Sequence, residues 1–471
     1  MSSADLVIKN GRVAVSSRLR RCAIAAKDGK VNWIGSNSNA PRAADVIDAS
    51  GLLVLPGVID AHVHMRDPGA TYKEDFRSGT AAAAGGGVTT VFDMPNNTPP
   101  TKDVESLRLK VRAARKALVD YALYGLLTEG NAGQLMPLVS AGVIGFKCYM
   151  AETTGSLAPP SARQLLRDMA TLAKAGMRMA VHAEDDATLQ RRMAALKEAK
   201  RGDAMAHYES RPEVVEELAV RRALAMAQET RCKLHIAHLS SAAGAEEVKK
   251  AKASQARAWG GVTAETCPQY LLLDKEDYAK KGSMMKSNPS VKRKEDRLAL
   301  WDAVNDGTID MIATDHAPHT IEEKTSGASI FDQASGFPGL ETSVALMLTC
   351  VSRGLLTLSR YVEMASAAPA KAWGLYPKKG SISVGADADF TIVDTRKEWK
   401  IDPARFVSKA KYSPFEGFKV KGAAVYTVVR GGIVMDHGHI DSTRKGVMQR
   451  PPTGRSKRPE WRAGEAQRRR T

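Results

Sequence analysis

Between residues 57 and 376 the chain repeats one unit, a short apolar run followed by a stretch of helical character. The runs are VTTVFDMP, VIGFKCYM, RMAVHAE, CKLHIAHLS, VTAETCP and MIATDHAP, and such β/α alternation builds a parallel sheet with helices outside it. Chemically loaded residues stand at the C-terminal end of one run after another, which suits a closed barrel better than an open sheet. The expected fold class is therefore α/β, a (β/α)8 TIM-like barrel over 57–376. Residues 1–56 read differently, as alternating runs broken by turn signals (DLVIKNGRVAV, CAIAAKDGKVNWIG, ADVIDASGLLVLPG). Segment 377–440 returns to that character with SISVGADADFTIVD and VYTVVRGGIVMD. Two strand-rich pieces flanking a barrel are expected to join as one small β-sandwich, discontinuous in sequence.

The run from Val58 to His64, VIDAHVH, carries the strongest chemical signal. Side chains two apart on a strand point the same way, so His62 and His64 face the barrel axis together and can grip one metal ion. A single His-x-His pair arises easily by chance. Four further candidates at or near the ends of other runs outweigh that reading: Lys147 in GFKCYM, His182 in AVHAE, His238 in HIAHLSS and Asp315 in ATDHAPH. The bland alternatives are a satisfied core histidine at each His and a snorkelling side chain at Lys147. His235, three residues before His238, is expected on the opposite strand face, packing or supporting. His207, His437 and His439 have no comparable setting and read as surface residues. Lys147 is the odd member, since an ammonium is a poor ligand and costly to bury. A neutralised amine could add carbon dioxide to give a carbamate whose two oxygens bridge two cations. Such a pair of ions activates water and polarises a carbonyl, and the reaction expected is hydrolysis of an amide-like bond.

This ordered set resembles the amidohydrolase superfamily over nearly the whole chain, as far as the segment VGADAD (384–389). Longer segments resemble the dihydroorotases: HVHMRDPGATYKEDFRSGT (62–80), DMPNNTPPT (93–101), DHAPHTIEEK (315–324), GFPGLET (336–342) and SPFEG (413–417). The resemblance implies two zinc ions per chain, held by His62, His64, Lys147, His182, His238 and Asp315, with Lys147 carboxylated and bridging. It implies a cytoplasmic enzyme of pyrimidine biosynthesis that interconverts dihydroorotate and carbamoyl-aspartate, with Asp315 shuttling a proton to the leaving ring nitrogen. A homodimer and an association with aspartate transcarbamoylase are implied in the same way. The substrate carries a carboxylate, for which Arg66, two residues beyond His64, offers a planar fork of donors. Asn96 and His319 match family positions that complete this grip. Asn288, Ser335 and Gly336 match positions that contact the ring amides. A salt bridge from Arg66 to Asp67 or Glu74 is the plain alternative. Residues 148–157, CYMAETTGSL, including Thr153 and Thr154, suggest a loop over the substrate.

A formal charge of +17 invites a nucleic-acid or membrane partner. Much of it lies in 441–471, where ten Lys/Arg face three Asp/Glu in a Pro-, Gly- and Arg-rich stretch; this stretch reads as a disordered, solvated tail. The rest lacks the aromatic-basic interleaving that stacks bases, so nucleic-acid binding is not expected. No apolar stretch approaches the roughly 20 residues of a membrane span, and MSSADLVIKNGRVAV lacks the pattern of a secretory leader. Five scattered cysteines without CxxC spacing fit buried reduced thiols. Two rival functions stay open: an allantoinase- or hydantoinase-type cyclic amidase with the same metal set, and a metal-free scaffold subunit.

Overall fold

The computed structural model describes residues 4–15, 18–152, 157–254 and 261–451. Eight strands follow one another around a barrel: Val58–Val63, Val88–Asp93, Asp120–Leu123, Phe146–Tyr149, Arg178–His182, Lys233–Ile236, Val262–Thr266 and Met311–Ile312. Neighbours pair in parallel within the first three and within the last five. Gly125–Leu126, just past the third strand, pairs with Phe146–Lys147 and joins the two groups. The ring closes where the His64 N–H donates to the His316 carbonyl at 2.7 Å. The second, fourth and fifth strands are buried on both faces, as a parallel sheet between a filled interior and an outer ring of helices requires.

Local chemistry fixes the helices that turn the chain back. Helix Phe76–Gly86 begins at Asp75, whose carboxylate accepts from the N–H groups of Arg77 (2.7 Å) and Ser78 (3.0 Å), which have no partner within the helix. It ends at Gly87 with φ 91°, a left-handed stop that costs glycine little. Gly86 is needed for contact: a Cβ there would lie 2.0 Å from the Leu340 carbonyl oxygen.

Two further sheets are built from the two ends of the chain. One holds Ala4–Lys9, Ala23–Lys27, Lys30–Gly35 and Ala43–Asp48; the other has seven strands, in which Leu53–Pro56 pairs antiparallel with Phe390–Lys400. Leu6, Ile8 and Ile24 of the first sheet share one apolar core with Val13, Phe390, Ile392 and Val428 of the second. The two strand-rich ends of the chain thus cover each other's apolar faces, each buried aliphatic or aromatic side chain contributing about 1.5–3 kcal/mol.

The segment expected as a solvated tail from 441 onward departs from that expectation at its start. Met448 bridges to Tyr121 and is buried, while the Val447 N–H and the Gln449 amide donate to Asp120 at 2.7 and 2.9 Å. A mainly basic stretch still packs here because a buried carboxylate offers acceptors that charge counting cannot reveal. Residues 452–471 lie outside the described residues, as do Thr153 and Thr154 of the expected substrate loop.

Asp120 belongs to a charge cluster that ties barrel to sandwich. The Lys379 ammonium, 1% exposed, is 2.5 Å from Asp120, 2.6 Å from Asp389 and 3.0 Å from Asp387. Burial alone would push the lysine pKa down, but the three carboxylates outweigh it and hold it above its ordinary value. The acidic residues of VGADAD are therefore a socket for an ammonium, on the segment just before the strand Phe390–Lys400. Among the described residues no helix is long and apolar enough to cross a membrane. Replacing Lys379 with Met strands the carboxylates and is expected to cost about 3–5 kcal/mol, read as a lowered urea midpoint; a midpoint unchanged from wild type would refute the tie.

Candidate active site

The strand ends open on a cleft of about 390 Å³ walled in part by His62, His64, His182, His238 and Asp315. The neighbours of three of the four imidazoles fix their tautomers. His62 Nδ1 lies 2.5 Å from Glu265 Oε1, and His64 Nδ1 lies 2.7 Å from Asn96 Oδ1. Both acceptors require an N–H on that nitrogen, so each Nε2 presents a lone pair. Those two atoms lie 3.3 and 3.1 Å from the same oxygen, Asp315 Oδ1. On the other side, His182 Nε2 donates to Glu184 Oε2 at 2.7 Å, leaving the lone pair of Nδ1 2.9 Å from His238 Nε2.

Two imidazole lone pairs facing one carboxylate oxygen at such distances call for a cation between them. Protonation of the rings would serve, but burial opposes it: His64 is pushed down to about 3, and His182 and His238 are also lowered, burial being the largest cause in each. Burial pushes the Asp315 carboxyl up, but the facing His62, His64 and Lys147 reverse this and leave it below its ordinary value. Neutral imidazoles and an ionised carboxylate are the states that bind metal, and one atom each of His62, His238 and Asp315 lies within 4.8 Å of the others. The donor set fits metal ions. Lys147 is fully buried, its Nζ has no hydrogen-bond partner among the described residues, and burial lowers its pKa to about 8.

Three of the nine non-glycine residues with positive φ among the described residues sit at this rim. Arg66, His238 and Asp315 adopt left-handed backbone conformations, with φ of 58°, 35° and 49°. Non-glycine residues persist there only when their surroundings dictate it.

Beside the metal ligands, Arg66, Asn96, Asn288, Ser335 and Gly336 also line the cleft. Arg66 makes no salt bridge to Asp67 or Glu74. Its Nε donates to the Pro318 carbonyl at 3.1 Å, and its Nη2 lies 3.1 Å from His319 Nε2. His319 is buried behind Arg66, also 3.1 Å from the Ser335 carbonyl. Asn96 commits its oxygen to His64, so it can offer a ligand only its amide N–H groups.

The profile of the amidohydrolase family matches residues 53–434. The chain belongs to that family. It is 36% identical to the L-hydantoinase of Paenarthrobacter aurescens over 441 residues, covering 93% of this chain and 95% of the relative. It is 38% identical to the dihydroorotase of Methanothermobacter thermautotrophicus over 440 residues, with 93% and 95% covered. The solved L-hydantoinase (dihydropyrimidinase) from Arthrobacter aurescens superposes with a TM-score of 0.90 at 35% identity, covering 95% of this chain and all of that one.

Three side chains at the amidohydrolase centre escape sequence reasoning. Glu265 spans His62 and His235, the latter with Nε2 at 3.0 Å, which makes His235 the supporting residue expected of it. Glu184 holds His182 and is itself paired with Arg211. A faint signal existed for both glutamates, since each ends an apolar run, Glu184 in VHAE beside the candidate His182 and Glu265 in VTAE. Arg211 had none. His207 corrects a surface expectation: it is buried, with Nε2 2.8 Å from the Ser287 carbonyl, because a helix that looks peripheral in sequence packs over the segment leading to Asn288. His437 and His439 are exposed, and the five cysteines are all free and buried.

Replacing Glu265 with Gln removes the charge that polarises His62 and is expected to weaken metal retention about 10- to 100-fold. Residual metal after dialysis against graded chelator is the readout, and wild-type retention would exclude this role.

Proposed function

We propose that the chain is a metal-dependent hydrolase of cyclic amides and, within that class, a dihydroorotase that interconverts (S)-dihydroorotate and N-carbamoyl-L-aspartate in pyrimidine synthesis. One observation carries the substrate choice. Arg66 is a buried guanidinium on the wall of the cleft with no carboxylate partner among the described residues, and a buried cation lacking an anion is costly unless a ligand provides one. Dihydroorotate has such an anion in its exocyclic carboxylate, which a guanidinium binds through two parallel hydrogen bonds.

On this reading His62, His64 and Asp315 would hold one zinc ion and His182 and His238 a second. Lys147, once its neutral amine had bonded to the carbon of carbon dioxide and lost one proton, would help to hold both. Bound zinc supplies Lewis acidity toward the ring carbonyl and a nucleophile from water at neutral pH. Asp315, kept ionised by the groups around it, accepts the proton that water gives up on attack. It delivers that proton to the ring nitrogen as the carbon–nitrogen bond breaks. Arg66 and the amide of Asn96 orient the carboxylate, and Asn288 with the backbone of 335–336 faces the ring amides. Cyclisation of carbamoyl-aspartate retraces the same proton path.

A second reading, hydrolysis of hydantoins or dihydropyrimidines, is favoured by the full-length likeness to L-hydantoinase. Turnover of dihydroorotate, hydantoin, allantoin and dihydrouracil by the metal-loaded protein decides between them. Selective turnover of dihydroorotate is expected, and activity confined to the uncharged rings would reject the dihydroorotase reading. Losing a charged hydrogen bond costs about 1.5–3 kcal/mol, so Arg66→Met should raise KM for dihydroorotate at least about tenfold. Any turnover of dihydrouracil should change little, and an equal loss on both rings would count against a carboxylate-binding role.

A further inference from the structure

The wall of the cleft opposite the metal ligands includes Ser335 and Gly336, at the end of a segment, 330–336, that is neither helix nor strand. Its carbonyls have no ladder to pair with, and buried carbonyls must find donors somewhere. Two lysines provide them. Lys324, fully buried, points its ammonium at three carbonyls: Ala334 at 3.0 Å, Gly336 at 3.0 Å and Lys286 at 3.1 Å. Lys286, 5% exposed, donates to the carbonyls of Ile330, at 2.6 Å, and Gln333. The Lys286 carbonyl also accepts the Gly336 N–H at 2.8 Å, so the two lysines and the loop form one closed set of bonds. Neither ammonium has a carboxylate within ion-pair distance among the described residues. Burial lowers both pKa values, that of Lys286 to about 7; the carbonyls, the face of the Tyr412 ring 5.7 Å from Lys324 Nζ and the charge of Asp332 acting on Lys286 offset part of that desolvation.

The set reaches the reacting side of the cleft. The Gly336 carbonyl, held by Lys324, also accepts from the Tyr412 hydroxyl at 3.1 Å, and the Ser335 carbonyl contacts His319, which lies against Arg66. Gly336 itself has φ 123°, and a Cβ there would meet Ala317 at 2.6 Å, so the loop has almost no room to shift on the barrel side. We propose that Lys324 and Lys286 are positioning residues that set the affinity of the cleft for its ring substrate, by folding 330–336 so that the backbone at 335–336 faces the ring. The inference rests on the cyclic-amide reading of the cleft but not on which ring is the substrate.

The test uses the metal-loaded full chain and whichever cyclic amide the wild type hydrolyses best, so a wrong substrate identity does not affect its outcome. In Lys324→Met and Lys286→Met the metal content should stay at the wild-type level while KM rises roughly tenfold or more and kcat falls less than about threefold, the signature of lost ground-state binding. Gly336→Ala displaces the same loop by a clash instead of a lost bond and should give the same pattern, which covers the case in which Lys324→Met does not fold. KM within about twofold of wild type in the folded lysine variants, or a loss confined to kcat, would overturn the proposal.

Discussion

The site exists because the barrel closes where it does. The single bond from the His64 N–H to the His316 carbonyl joins the first strand to the segment after the last. With it, residues 251 positions apart in the chain are brought to contact distance, His64 Nε2 to Asp315 Oδ1 at 3.1 Å. Period-two geometry then places His62 beside His64 without further help. The remaining ligands follow from parallel pairing, which sets the ends of successive strands side by side: Tyr149 pairs with His182 one strand over. A barrel of this kind is a device for bringing distant residues to one rim, and chemistry concentrates there for that reason.

That convergence is energetically unfavourable, and the surroundings show how it is contained. Five candidate ligand groups meet at the rim, two of their residues, His238 and Asp315, with left-handed φ. Behind them Glu265, Asn96 and Glu184 fix the tautomers of His62, His64 and His182, and Arg211 in turn holds Glu184. Removing any one outer group would free a ring to rotate. A cation between His62, His64 and Asp315 would satisfy the inward atoms, and metal affinity and local order would then be two aspects of one balance.

Buried ammonium groups are used at both ends of the barrel, with different partners. At the N-terminal end Lys379 meets three carboxylates and joins the third strand to the chain entering the sandwich. At the C-terminal end Lys286 and Lys324 donate to carbonyls and shape the wall of the cleft. A carboxylate partner strengthens a buried lysine far more than a carbonyl does. The first arrangement therefore suits a fixed joint, while the second holds a loop without adding negative charge beside the cleft.

Much of this was legible in the sequence because it depends on local pattern. Alternation of apolar runs with helical stretches specifies a parallel barrel whatever the loops do, and His-x-His on a strand specifies a shared direction. The strand-rich ends specified a separate sheet layer, since their apolar faces needed cover. The short third strand, Asp120–Leu123, was hard to see, because its first residue is a carboxylate whose cations, Lys379 and Arg430, come from far along the chain. The same reason hid the roles of Glu265, Glu184, Arg211 and Lys324, and the packing of His207 and of 441–451. Each is polar or charged and buried, and no local pattern distinguishes a charge that will be neutralised by a distant segment from one that will face water. The sequence determined which residues could do chemistry and on which strand ends they stand; only the closed tertiary structure decided which charges meet, because a buried charge is fixed by its partners and those partners are distant in the chain.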